Sequence, residues 1–340
     1  MFKFAIRTLV RSPFVTIISV ASLALGIGAN AAIFSLFNHT LIRPLPVPDS
    51  GHLVNLGAPS PKPGLLSCSR AGYCDEVFSY PMFRDLQRVQ TVFTDIAAHR
   101  LFSVNLAYRG ATVSAEGLLV SGSYFPVLGL QPAVGRLLNS DDDRAIGESP
   151  VVVLSHDYWR THFSADPNVI NDKLIVNGQS LTIIGVAPAG FSGTTLGLKP
   201  YVFVPVTLGA LMQPNFYDFE GRLEYWAYLF ARLKPGVALD RARVGINPQY
   251  RAIINEVEAP LQPPMAQQMM EEFRERTVTI EDGSHGQSLV YREATVPLTF
   301  LFGVTAFVLL IACANIANLL LARGAARSAE NGASVIHRCE

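Results

Sequence analysis

The chain has 340 residues, 27 basic and 27 acidic side chains, and only 16% charged residues. Its mean hydropathy of +0.28 is too high for an ordinary soluble protein and too low for a chain wholly embedded in lipid, so both membrane and aqueous segments are expected. The zero net charge and the lack of zinc-finger or RNP-like motifs argue against a nucleic-acid partner.

The N-terminal part predicts a short amphipathic helix and then a membrane span. In residues 1–13, Lys3, Arg7 and Arg11 share one helical face. Residues 14–37 carry no charge, and about 24 helical residues extend roughly 36 Å, enough to cross a hydrocarbon core of about 30 Å. The basic flank places the N-terminus in the cytoplasm by the positive-inside rule.

A cleaved signal peptide is the alternative interpretation of this N-terminal part. Ala29-Asn30-Ala31 fits the small-x-small cleavage pattern. The apolar run continues past this site to Phe37 and is too long for a typical signal peptide, so the pattern favours a retained transmembrane helix.

Residues 296–321 form a second uncharged run, followed by Arg323 and Arg327. The basic flank predicts a cytoplasmic tail, residues 322–340. Residues 38–295 are then extracytoplasmic, and both termini are cytoplasmic.

The two spans carry candidate helix-packing residues: Ala24 and Gly28 in the first, Asn315 and Asn318 in the second. Small side chains allow close helix approach, and amides can form hydrogen bonds between helices in lipid. The alternative is that small residues are simply common in spans. The pattern predicts a homo- or heterodimer joined through the transmembrane helices.

The central region has the pattern of an α+β domain. The strongest turn signal is Asn177-Gly178, typical of a two-residue hairpin. Alternating or apolar runs predict strands at 52–56, 103–108, 112–119, 151–154, 173–176, 180–186, 202–206, 226–233 and 277–281. Helices are predicted at 80–90, 123–128, 156–163 and 240–256.

No catalytic, cofactor-binding or metal-binding residue is predicted. The acidic run 141–143 lacks the spacing of a calcium loop and is expected to be a solvated turn. His156 and His162 are six residues apart and would lie on different helical faces, which favours two surface histidines. Ser192 lacks a nucleophile-elbow motif, and the chain has no phosphate-binding P-loop. An enzymatic function is therefore not expected.

Cys68 and Cys74 lie in the predicted extracytoplasmic region, where oxidation can occur. A disulfide closing this small loop and a pair of free thiols both remain open. Cys313 lies within the second span and is expected to be a small packing residue.

Several stretches resemble MacB/FtsX-type ABC transporter permeases, in particular the acidobacterial duplicated orphan permeases. The membrane motifs are LALGIGANAAIFS at 23–35, LIRPLP at 41–46 and LIACANIANLLLAR at 310–323. The stretches at 176–188, 203–205 and 231–237 resemble the periplasmic core domain of that family.

The resemblance implies a protein of the cell inner membrane that binds no cofactor itself. A separate ABC ATPase subunit would bind ATP and drive the membrane helices, and a periplasmic partner would contact the domain at 38–295. The fold implied is a membrane-anchored α+β domain, with a porter-like βαβ subdomain and an inserted β-rich subdomain at about 115–215.

The C-terminal region departs from the family pattern. Such permeases continue after Arg327 with a cytoplasmic helix and two more membrane helices, whereas this sequence ends at Glu340. The tail is therefore expected to be truncated or frameshifted. Two alternatives to an ABC permease subunit remain: a two-helix membrane sensor or regulatory binding protein, and a nonfunctional permease fragment.

Overall fold

The computed structural model describes residues 13–38, 43–59, 62–213 and 218–336. The chain divides into two compact units. The helical unit comprises Met1–Arg43 and Glu293–Glu340, and the sheet unit comprises Pro44–Arg292. Most of the predicted N-terminal amphipathic helix lies outside the described residues.

The helices and strands are numbered in chain order. The helices are α1 Pro13–Phe37, α2 Tyr80–Val89, α3 Tyr124–Leu128, α4 His156–His162, α5 Gly209–Met212, α6 Leu239–Ile253, α7 Gln267–Arg274 and α8 Leu289–Ile336. The strands are β1 Leu53–Gly57, β2 Leu65–Leu66, β3 Phe93–Tyr108, β4 Ala111–Val120, β5 Val134–Gly135, β6 Val151–Leu154, β7 Lys173–Val176, β8 Gln179–Val186, β9 Val202–Pro205, β10 Glu224–Tyr225, β11 Tyr228–Leu233 and β12 Thr279–Asp282.

One ten-stranded sheet organises the sheet unit. Its order is β12-β1-β11-β3-β4-β9-β6-β8-β5, with β7 paired to β3 and β8, while β2 and β10 form a separate parallel pair. Taken alone, β1, β3, β11 and β12 have the spatial order 4-1-3-2, with α2 following β1 and α6 following β11. This is the split βαβ arrangement of a ferredoxin-like unit. The chain between β4 and β9 extends the same sheet, and the predicted subdomain boundaries at 115–215 stay a prediction.

The sheet buries both faces, because successive residues of a strand point to opposite sides. In β11, Leu229 and Ala231 belong to the core under α2 and α6, whereas Phe230 belongs to a second core that includes Tyr124 and Phe125 of α3. The central strands therefore consist mainly of apolar residues, and mixed α+β architecture is observed as predicted.

The predicted hairpin at Asn177-Gly178 is confirmed. Both residues have positive φ, 48° and 84°, and Val176 pairs with Gln179. Two consecutive left-handed residues are the requirement of a type I′ turn, which Asn and Gly meet at low cost. An equivalent turn at Arg109-Gly110 joins β3 to β4.

Among the described residues, one helical stretch is long and apolar enough to cross a membrane, Glu293–Asn318. It lies in α8 and includes most of the predicted second span. In α1 the apolar stretch Ala24–Ser35 is shorter than that requirement. The first crossing therefore stays a prediction.

The expectation of a solvated acidic turn was wrong for two of its three aspartates. Asp142 is 5% exposed and accepts two hydrogen bonds from the Arg136 guanidinium, at 2.7 and 2.8 Å. Asp143 is 3% exposed and accepts a hydrogen bond from the Gly122 amide. Burial raises the pKa of Asp143 to about 6. Both carboxylates are therefore held by hydrogen bonds inside the protein, Asp142 by a guanidinium six residues away and Asp143 by an amide 21 residues away.

Candidate functional site

Two short segments connect the sheet unit to the rest of the chain. The incoming segment, residues 44–51, precedes β1, and the outgoing segment, residues 283–288, lies between β12 and α8. They contact each other, since the Leu45 amide donates a hydrogen bond of 2.8 Å to the Ser284 carbonyl. These two segments are the parts of the chain through which the sheet unit is covalently joined to α1 and α8.

Besides the hydrogen bond of Leu45, the incoming segment is bound by one side chain. Arg232 of β11 donates hydrogen bonds to three main-chain carbonyls, those of Val127 at 2.6 Å, Asp49 at 2.9 Å and Pro48 at 2.9 Å. Partial burial lowers the pKa of the Arg232 guanidinium from its ordinary value. The group nevertheless remains charged at physiological pH, because an arginine pKa lies far above it.

The outgoing segment is held mainly through its backbone. The Gly283 amide donates to the Leu53 carbonyl at 2.9 Å, and the Gln287 amide donates to the Thr194 carbonyl at 2.8 Å. The Asn55 side chain donates to the Gly286 carbonyl at 2.8 Å. These bonds connect the segment both to β1 and to the loop that precedes β9.

A buried imidazole–amide pair reinforces this connection. His99 Nε2 of β3 lies 3.0 Å from Gln287 Oε1, and the two side chains are 0% and 4% exposed. The rings of Tyr124, Tyr228 and Phe230 surround the imidazole. Burial lowers the pKa of His99 to about 4, so the imidazole is neutral at physiological pH and donates its Nε2 proton to the amide oxygen.

Gly286 permits the close approach of the outgoing segment to the backbone of Thr194. Its φ of 81° lies in the left-handed region, and an added Cβ would stand 2.2 Å from the Thr194 carbonyl oxygen. Thr194 is positioned in turn by a 3.0 Å hydrogen bond between its hydroxyl and that of Tyr124. Glycine is therefore required at this position for two independent reasons.

The structure joins Cys68 and Cys74 in a disulfide, with their Cα atoms 5.0 Å apart. The buried Arg100 of β3 donates hydrogen bonds to both the carbonyl and the hydroxyl of Ser67, beside this loop. The loop is thus fixed both by the disulfide and by the Arg100 guanidinium. The two cysteines therefore have a structural role.

Three of the four predicted helix-packing residues have side chains that the structure describes. Ala24, Gly28 and Asn318 are exposed, and no atom lies within 4 Å of a Cβ added at Gly28. The side chain of Asn315 lies outside the described part of the structure. A role for these four residues in packing against another chain stays a prediction.

The described residues include an arginine-lined cleft but no cluster of metal-binding side chains. Among the described residues, no group of three or more His, Cys, Asp or Glu side chains could hold a metal ion. A cleft of about 520 Å³ beside Tyr80 is lined by Arg84, Arg144 and Arg222. Each guanidinium is paired with an aspartate, at residues 143, 141 and 85 respectively, so the cleft has little uncompensated charge for a ligand.

The sequence predicted no functional role for the two connecting segments, although residues 44–46 belong to the LIRPLP motif. His99 lies in a stretch that was not assigned to the predicted strand, and Arg232 lies in the family-like stretch 231–237, which does not identify its hydrogen-bond partners. The available signal was the polar run EDGSHGQS at 281–288, with two glycines between a predicted strand and a predicted span. Such glycines indicate close backbone approach, although the partner cannot be identified from sequence.

The fold and these segments define an α+β domain that is preceded in the chain by α1 and followed by α8, which contains the long apolar stretch. Residues 16–248 match the family described as MacB-like periplasmic core domain, and the chain belongs to this family. It is therefore a MacB-like periplasmic domain of ABC-type transporter permeases, a non-enzymatic class of component.

Solved structures of periplasmic and extracellular regions resemble the chain at low identity. The periplasmic region of MacB from Actinobacillus actinomycetemcomitans is 15% identical, with 69% of this chain and 90% of that chain covered and a TM-score of 0.46. The extracellular domain of the noncanonic ABC-type transporter YknZ from Gram-positive bacteria is 14% identical, with 58% and 92% covered and a TM-score of 0.40. No curated protein matches the sequence.

Proposed function

We propose that the chain is a permease subunit of an ABC-type export or mechanotransmission system of the inner membrane. A separate ATPase subunit binds and hydrolyses ATP, and the resulting movement of the membrane helices is transmitted to the periplasmic sheet unit. Family membership supports this proposal, since the family occurs in ABC transporter permeases. The sequence contains no P-loop, which is consistent with ATP binding by a partner.

The observation that carries the proposal is the hydrogen bonding of the outgoing segment. A flexible glycine- and serine-rich linker would absorb a displacement, because its end-to-end distance varies at little cost. Residues 283–288 instead bond to β1, to the Thr194 loop and to His99 within a few residues of the start of α8. A displacement at Leu289 is therefore passed to the sheet.

The test inserts a flexible Gly-Ser-Gly-Ser sequence between Ser288 and Leu289 of the full chain. The tagged chain is isolated from native membranes together with any ATPase subunit, and spin labels at Val244 and at Arg160, both exposed, report movement within the sheet unit. The unmodified chain should show an ATP-dependent change in label distance. The insertion should abolish that change while ATP hydrolysis by the bound subunit continues.

The matched control places the same insertion after Gly147, an exposed position where an added Cβ meets no atom within 4 Å. This variant should keep the ATP-dependent change. The proposal is wrong if no ATPase accompanies the chain, or if the insertion at Ser288 leaves the ATP-dependent change intact. A membrane sensor would give the first of these outcomes.

A further inference from the structure

Within the helical unit, α1 and α8 contact through one face of α1. An added Cβ at Gly26 would meet Leu309 Cδ1 at 3.3 Å. The rings of Phe34 and Phe37 lie 6.3 and 5.7 Å from the ring of Phe302. Positions 26, 30, 34 and 37 recur at helical spacing, so these contacts and Asn30 lie on the same side of α1.

Asn30 forms a hydrogen bond across this contact. Its Nδ2 donates to the Thr305 carbonyl oxygen of α8 at 3.0 Å and also to the Gly26 carbonyl of its own helix at 3.0 Å. The Thr305 hydroxyl bonds within α8, to the Leu301 and Phe302 carbonyls. The acceptor between the helices is therefore the backbone of residue 305, whichever side chain that residue carries.

The geometry makes this bond specific for one register of the two helices. The Asn30 amide is half-buried, and in an apolar environment an amide that leaves its partner finds no water to replace it. A shift of one helical turn would move Asn30 by about 5.4 Å along α8 and break the bond. Phe302 and Leu309, on either side of Thr305, would lose their contacts in the same movement.

We propose that Asn30 is a positioning residue that fixes α1 and α8 in one register, so that the two helices move as a single body when the permease works. The coupled movement of the two helices rests on the proposed function. The hydrogen bond itself can be tested independently. Gly26 supplies the close approach, and Asn30 supplies the polar contact that defines the register.

The first measurement is cysteine cross-linking of the full chain in membranes, with Cys313 and Cys339 replaced by serine. The pair Gly26→Cys and Leu309→Cys should react rapidly with a short bifunctional thiol reagent. The matched control, Gly28→Cys with Leu309→Cys, should react slowly because position 28 faces open space on the same helix. Equal rates for the two pairs would overturn the proposed packing.

The second measurement repeats the Gly26–Leu309 cross-link in Asn30→Leu and Thr305→Val chains. A hydrogen bond between membrane helices favours their association by roughly a three- to eighteen-fold change in the equilibrium constant. Asn30→Leu should therefore lower the cross-linking rate by about this factor. Thr305→Val should leave the rate unchanged, because the acceptor is a main-chain oxygen. Asn30→Gln, which keeps the amide, should restore part of the rate.

An unchanged rate in Asn30→Leu would refute the positioning role. If that variant does not accumulate, Asn30→Ala provides the same comparison with a smaller side chain that also lacks a donor. The distance between the spin labels at Val244 and Arg160, measured with and without ATP, distinguishes the positioning role of Asn30 from the proposed permease function. An Asn30→Leu chain that cross-links poorly but keeps full ATP-dependent movement would overturn the role in coupling. An unsubstituted chain without ATP-dependent movement would instead refute the proposed function, while the cross-link still decides the hydrogen bond.

Discussion

The incoming and outgoing segments connect the sheet unit to the rest of the chain by different chemistry. The incoming segment is bound mainly by one partly exposed side chain, Arg232, which donates to the carbonyls of Pro48 and Asp49 in the segment and to that of Val127 outside it. The outgoing segment depends on main-chain hydrogen bonds, a left-handed glycine and the buried pair His99–Gln287. The outgoing segment should therefore be the stiffer connection and the more sensitive to substitution.

Burial is the physical basis of this difference. Water can replace Arg232 at carbonyls near the surface, so the loss of the guanidinium costs only part of its gross interaction energy. Water has no access to His99, which is 0% exposed. A group left without a partner there carries the full desolvation cost.

The largest effect is expected for Gly286→Ala. The new Cβ would lie 2.2 Å from the Thr194 carbonyl oxygen, at a residue with φ of 81°. Backbone strain and steric overlap together should lower the free energy of unfolding by about 4 kcal/mol. Chemical denaturation of the full chain in detergent measures this value. Gly147→Ala has a similar φ of 79° without the overlap and should cost only about 1 kcal/mol; equal losses would contradict the close approach.

The second effect is a pH dependence of stability caused by His99. Its pKa is about 4 in the folded protein and about 6.5 when unfolded, so the unfolded state binds more protons between these values. Stability from the neutral buried imidazole is present above pH 6.5 and is lost as pH falls toward 4, by on the order of 3 kcal/mol.

This pH effect must be measured as a difference between the unsubstituted chain and His99→Asn. Burial raises the pKa of Asp143 to about 6 and that of Glu258 to about 7, and these two groups favour the folded state at low pH, with the opposite sign. They cancel in the difference because both chains contain them. A stability difference that does not change between pH 7 and pH 4 would show that His99 is not buried as a neutral group.

Gln287→Leu should have the third largest effect. It removes the acceptor of the His99 Nε2–H bond and leaves a buried donor without a partner, at a cost of about 1 to 3 kcal/mol. The double variant His99→Phe with Gln287→Leu should recover part of the loss, because both polar groups are then absent. Faster amide hydrogen exchange at residues 283–288 in the single variant would locate the effect. Additive losses in the double variant would show that the two side chains are not coupled.

The smallest effect is expected for Arg232→Ala, about 1 to 2 kcal/mol, since the three carbonyls it binds can be partly hydrated. The exposed Arg160→Ala is the control and should change stability by less than about 0.5 kcal/mol. Hydrogen exchange at residues 44–51 should increase only in the Arg232 variant. A loss larger than that of Gln287→Leu would reverse the proposed order of the two connections.

Much of the fold was predictable from local patterns. The strands at 151–154 and 173–176 have the predicted bounds, and helices α2, α3 and α4 begin and end within one residue of prediction. These elements combine a clear apolar period with a cap or turn residue, such as Ser79 and Ser155, whose side chains accept hydrogen bonds at the helix starts. β3 begins ten residues earlier than predicted because its first half is buried on both faces and lacks alternation.

The sequence by itself determined the mixed α+β class, the Asn177-Gly178 hairpin, the apolar stretch of α8 and the resemblance to MacB/FtsX-type permeases, because each depends on residues close together in the chain. Only the tertiary structure decided that Asp142 and Asp143 are buried, that Asn30 reaches Thr305, and that His99 reaches Gln287, 188 residues away. The physical reason is that burial and hydrogen bonding of polar groups depend on partners brought together by the sheet order and helix packing, which local periodicity does not encode.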